Sequence, residues 1–162
     1  MVEVKQKEQV GRKVREVRST CKAGGVVCEV STGEGHTIVT DEPTERGGTD
    51  TASAPLFHLA ASLATCQTVQ IVKVAEAMRF VHGDINIDCS TVTDLIDGLE
   101  GNNNGVMHFC EAEMIIDIET DESEKKIERL KALSEDRCPV DRLFIEAGYP
   151  PKVTWNVLPM PA

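Results

Sequence analysis

From Pro55 to Phe80 the chain is mostly apolar, and this run constrains the fold more than any other segment. Proline is tolerated at the first position of a helix, where its missing N–H costs nothing, so Pro55 marks a helix start. Leu59, Leu63, Ile71, Val74, Ala75 and Met78 recur at helical spacing, with alanines at close-packing positions. His58, Ser62, Gln67, Gln70, Lys73 and Glu76 interrupt the run, which argues against a membrane span. Apolar side chains still fall on more than one face. Such a helix needs more cover than a small sheet can give, and a second copy of the chain is the natural source. A homodimer built around residues 55–80 is therefore expected.

The flanking segments read as shorter elements. Residues 2–41 carry strand patterns around Val14, Val17, Val26 to Val30 and Thr37 to Val39. Turns at Gly24-Gly25 and Gly33-Glu34-Gly35 divide them into an antiparallel meander. A polar loop from Asp41 to Ala54 holds Arg46-Gly47-Gly48. After the long helix, Ile85 to Cys89 alternates as a strand. Asn102-Asn103-Asn104-Gly105 reads as a turn into a strand from Met107 to Thr120. Ser123 is placed to cap a helix running to about Arg137, Pro139 opens a shorter helix ending near Gly148, and Lys152 to Leu158 forms a last strand. The order βββ-α-ββ-αα-β predicts one α+β domain over residues 1–162, with helices covering a curled sheet.

Composition narrows the partners. A net charge of -10 argues against nucleic acid, whose phosphates need a basic surface. The N-terminal residues have no apolar stretch of the kind a secretory signal carries, so a soluble cytoplasmic protein is expected. In that compartment the six cysteines, at 21, 28, 66, 89, 110 and 138, start reduced. No Cys-x-x-Cys and no close Cys/His cluster is present, so neither a metal nor another cofactor is expected.

Two of these thiols stand in distinctive surroundings. Cys66 lies on the long helix in a polar stripe with His58, Ser62 and Gln70 at i, i+4 spacing. His58 is two turns away, about 12 Å along the axis, too far to act as its direct base. Cys138 precedes Pro139, and the residue before a proline is biased out of helix, which puts Cys138 at a helix N-cap. Asp136 and Asp141 bring negative charge near it. Ionising Cys66 requires a cation from elsewhere in the fold, and an arginine suits because it does not discharge. Cys21, Cys28, Cys89 and Cys110 fall in strands and read as packing or surface residues.

The stretch from Gly48 through Pro55 to Cys66 resembles the loop, proline and cysteine-bearing helix of the OsmC/Ohr proteins. Cys138-Pro139-Val140 resembles that family's second cysteine motif. The resemblance implies an OsmC-like fold, with curled antiparallel sheets packed on a long central helix, and an intertwined homodimer with active sites at the subunit interface. It also implies a thiol peroxidase that reduces organic hydroperoxides. Cys66 would be the peroxidatic thiol and Cys138 the resolving one, with an external dithiol as reductant. The assisting arginine corresponds to Arg46, with Arg18 as the alternative. The family's peroxidases carry a glutamate just after the helix-opening proline, where this chain has Leu56 and Phe57. Glu45, Asp50 or a residue of the other subunit would then hold the arginine. The rival expectation is a non-catalytic OsmC-like dimer that binds a small apolar or thiol-containing ligand in the same cleft.

Overall fold

The computed structural model describes residues 16–33, 35–96 and 106–161. The chain divides into two compact units, Met1–Pro55 and Leu56–Ala162. Strand β1 (Thr20–Gly24), β2 (Val27–Ser31) and β3 (Thr37–Thr40) form the sheet of the first unit, antiparallel in the order β1-β2-β3. Gly25 and Val26 make the two-residue turn between β1 and β2, and Gly25 has φ 70°. A two-residue hairpin needs such a left-handed first position, which a glycine adopts without steric cost.

The loop after β3 is braced by one buried carboxylate. Asp41 accepts hydrogen bonds from the backbone amides of Glu42, Thr49 and Thr51 and from the hydroxyls of Thr49 and Thr51. These donors, led by the Thr49 hydroxyl, hold its pKa well below the usual 3.8. A short 3₁₀ turn, Thr44–Arg46, lies inside the braced loop. Gly48 passes so close to the Glu42 carbonyl that any Cβ there would overlap it. That close approach accounts for the glycine after Arg46-Gly47.

The second unit is built on α1 (Pro55–Met78). This helix ends in a Schellman motif: Arg79 is left-handed at φ 51°, its amide donates to Glu76, and the Phe80 amide donates to Ala75. Strands β4 (Ile85–Ile96), β5 (Val106–Glu119) and β6 (Lys152–Leu158) form the sheet, with β5 in the middle. Met114, Ile116 and Ile118 alternate inward from β5 and meet Leu63, Ile71 and Val74 of α1 in one buried cluster. Helix α2 (Glu124–Arg137) adds Ile127 and Leu130, and α3 (Pro139–Glu146) adds Phe144. A second Schellman motif ends α3 at Gly148, φ 91°, with Tyr149 donating to Phe144.

The element order is the expected one, with two differences. Strand β6 runs parallel to β5, because the chain returns through α2 and α3 and not through a hairpin. Among the described residues the first strand begins at Thr20, so Val17 lies outside it, and Val14 and Asn102 to Gly105 lie outside the described residues. No helix among the described residues is long and apolar enough to cross a membrane.

Candidate functional site

Cys66 and Cys138 come together. Cys66 is half-buried in the middle of α1, and Cys138, fully buried, links α2 to α3. Their thiols lie close enough to interact. Cys138 has extended backbone (φ -78°, ψ 110°), as expected for a residue before proline, and its sulfur caps α3 by accepting from the Asp141 amide at 3.4 Å. Burial pushes the Cys138 thiol up to about 11; the Asp141 amide pulls the other way, and the nearness of Cys66 adds to the rise. Cys138 therefore rests as a protonated thiol, and Cys66 is the more accessible sulfur of the pair.

The neighbourhood of this pair is shaped by α1, α2 and α3. Gln67 is buried beside Cys66 and donates to the Ser134 hydroxyl at 3.5 Å, joining α1 to α2 one turn before Cys138. Its Oε1 has no hydrogen-bond partner among the described residues. Asp141 contributes its amide, while its buried carboxyl is pushed up from the ordinary value, first by burial and then by Glu135, with Arg142 opposing. Asp136, the other acid anticipated beside Cys138, pairs with Arg142 at 3.0 Å. The stripe expected on α1 is half-exposed at His58, Cys66 and Gln70, and the Ser62 hydroxyl turns back onto the His58 carbonyl at 2.7 Å.

A cavity of about 360 Å³ opens between α1, β5 and α3. Leu59, Met107, Phe109, Leu143, Phe144 and Tyr149 supply most of its wall, with His108 at its border. Phe109 and Phe144 meet edge to face, ring centroids 6.4 Å apart. Leu59 is two turns before Cys66 on α1, which sets the cavity roughly 10 Å along the helix from the thiol. Sequence patterning singled out Leu59 as a core residue only. The cavity depends on β5 and α3 converging, which no local signal announces.

Both candidate arginines belong to the first unit and are exposed. Arg46 pairs with Glu42 at 3.5 Å, and Arg18 pairs with Glu16 at 2.6 Å. The expected partners of Arg46, Glu45 and Asp50, are not the ones it takes. Glu42 lies just before the 3₁₀ turn and Arg46 ends it, while Glu45 accepts from the Thr44 hydroxyl at 3.3 Å. Among the described residues no group of three or more His, Cys, Asp or Glu side chains is arranged to hold a metal.

A helix-borne thiol thus lies close to a Cys-Pro thiol, with an aliphatic and aromatic cavity roughly 10 Å further along the helix. The family is fixed by sequence: residues 48–154 match the model of the OsmC-like protein family, and the chain belongs to that family. No curated protein sequence matches it. Among solved structures, the OsmC-like protein of Mycoplasma pneumoniae superposes with a TM-score of 0.71 at 16% identity, over 91% of this chain and 99% of the other. The organic hydroperoxide resistance protein OsmC of Legionella pneumophila gives 0.64 at 20% identity, covering 91% and 99%. An organic hydroperoxide resistance protein of Elizabethkingia anophelis, with thiocyanate bound, gives 0.66 at 16%, covering 92% and 99%. At these identities the likeness establishes the fold.

Proposed function

We propose that the protein is a thiol peroxidase of the cytoplasm that reduces organic hydroperoxides through Cys66 and Cys138. The observation that carries this reading is the approach of the Cys66 and Cys138 thiols to each other. Cys66 attacks the distal oxygen of the hydroperoxide; the O–O bond breaks, the alcohol leaves with a proton, and the sulfur becomes a sulfenic acid. Cys138 then displaces water from that sulfur to form a disulfide, and an external dithiol restores both thiols by exchange. Arg46, or Arg18 in its place, supplies the positive charge that favours the Cys66 thiolate and the charge developing on the peroxide oxygens.

The protein acts as a homodimer on this reading. Leu56 and Phe57, at the start of α1, are exposed (Phe57 at 70%), and Val69 and Val72 expose a further apolar face of the same helix. A second copy covering α1 accounts for that surface. A monomeric mass at micromolar concentration would remove the dimer from the proposal.

The cavity seats the hydrocarbon tail. Each buried methylene contributes about 0.8 kcal/mol, so four seated methylenes favour an alkyl hydroperoxide over hydrogen peroxide on the order of a hundredfold. Peroxide consumption with a dithiol reductant, compared between tert-butyl or longer alkyl hydroperoxides and hydrogen peroxide, tests it. Leu56 and Phe57, standing where the family's glutamate is expected, favour the second reading, a binder without turnover. No consumption of either peroxide, together with retention of an apolar ligand in the cavity, would select that reading.

A further inference from the structure

We propose that Cys21 and Cys28 form a second dithiol centre, on the β1–β2 hairpin, that exchanges with low-molecular-weight disulfides independently of Cys66 and Cys138. Register places them together. Cys21 pairs with Val30 and Cys28 with Ala23, so the two cysteines are diagonal neighbours on one face of the ribbon. Counting from the two-residue turn, Gly24 and Val27 are the closing hydrogen-bonded pair, so both cysteines fall in non-hydrogen-bonded pairs, where side chains approach most closely. The right-handed twist of a two-stranded ribbon draws this diagonal together. The two thiols lie close enough to interact. β1 is exposed along its whole length, with Cys21 exposed and Cys28 half-buried, so the pair is open to small reagents.

The geometry also sets the character of the bond they would form. Diagonal neighbours are typically about 7 to 8 Å apart at Cα, beyond the roughly 4.4 to 6.8 Å that a disulfide usually spans. Oxidation must therefore pull the strands together across a tight turn. Strained, exposed disulfides are the easily reduced ones, suited to exchange and not to structural bracing. Either thiol can open the exchange, and the balance is the same from both, as it is with Cys28 attacking. The Cys28 thiolate displaces one thiolate from RSSR, which takes up a proton as RSH, leaving a Cys28–SR mixed disulfide. Cys21 then loses its proton, attacks the Cys28 sulfur and expels the second RSH. Two electrons pass from the protein to RSSR, and the protein retains one Cys21–Cys28 disulfide.

The test uses the full chain carrying Cys66→Ser and Cys138→Ser, and the unmutated chain beside it. Each is equilibrated in glutathione buffers of graded oxidised-to-reduced ratio, blocked with N-ethylmaleimide and digested with trypsin. Trypsin cuts after Arg18, Lys22 and Arg46, so the disulfide joins peptide 19–22 to peptide 23–46 as one mass, two hydrogens lighter than their sum. The joined peptide should appear in both proteins and revert to free thiols as reduced glutathione rises. Cys21→Ser should instead accumulate a lasting glutathione adduct on Cys28. Separate glutathione adducts on Cys21 and Cys28, or two free thiols even in the most oxidising buffer, would overturn the proposal. A joined peptide that reduced glutathione fails to open would overturn it too, since the pair would then be a structural brace.

Discussion

Cys66 and Cys138 are about 70 residues apart in the chain and meet only because α1, α2 and α3 pack on one core. Cys21 and Cys28 are held by a two-residue turn and need little beyond hairpin register. The first pair is shielded, with one thiol fully buried and pushed up to about 11. The second is displayed on an exposed ribbon. Burial distinguishes the two thiols of the first pair, leaving Cys66 the more accessible. Exposure leaves the second pair to be governed by strain and by whatever small disulfide is present. The same two thiol groups thus acquire different chemistry from their seats.

The widest separation between the pairs is expected in peroxide turnover. Cys66→Ser should reduce alkyl hydroperoxide consumption to the buffer background, because a hydroxyl is a far poorer nucleophile at neutral pH. Cys138→Ser should consume one equivalent and stop with a sulfenic acid that dimedone traps. Cys21→Ser and Cys28→Ser should turn over like the unmutated protein. Loss of turnover in either hairpin variant would break the division between the pairs.

Next in size are effects on stability. Leu130→Ala removes a fully buried side chain from the cluster under the Cys66–Cys138 pair and should cost about 2 to 5 kcal/mol in chemical denaturation. Closing the long loop with a Cys66–Cys138 disulfide restricts the unfolded chain by about 4 kcal/mol, against about 2.5 for the short Cys21–Cys28 loop before any strain is subtracted. Oxidation should therefore raise the melting temperature through the first pair and much less through the second. Equal gains would mean that the hairpin disulfide is unstrained.

A smaller effect distinguishes the arginines. Arg46→Ala should slow Cys66 alkylation at neutral pH on the order of tenfold, the equivalent of one unit in thiol pKa, with Arg18→Ala nearly silent. The reverse order would move the activating role to Arg18. Alkylation of Cys21 and Cys28 should change in neither variant.

How far the sequence reveals each pair follows from the same contrast. Cys138 was readable as an N-cap because the rule for residues before proline is local, and Cys66 because the Pro55 helix is long and periodic. Their contact came from resemblance to a family, since helix packing over such a distance leaves no local mark. The hairpin pair was missed despite a nearly correct turn. Placing the turn at Gly24-Gly25 would set Cys21 directly opposite Cys28, whereas the turn at Gly25-Val26 makes them diagonal. Either turn leaves them on one face, so the signal was present and only the register had to be drawn. The Glu42–Arg46 pair depended on a 3₁₀ turn that a polar, glycine-containing loop does not announce.

The smallest expected effect tests whether a thiol partner is what makes a centre. Cys110 is exposed on β5, and its thiol donates to the Val92 carbonyl at 3.5 Å, beside the register shift between Val92 and Thr93. A serine hydroxyl can make the same bond, so Cys110→Ser should change stability by less than about 0.5 kcal/mol. Peroxide turnover should also stay unchanged. In glutathione buffers Cys110 should form at most a simple mixed disulfide, because no second thiol is positioned to expel the glutathione. A Cys110 that instead closed onto another cysteine of the same chain would show that exposure alone selects the redox-active thiols. Pairing by register and packing would then lose its explanatory role for both centres.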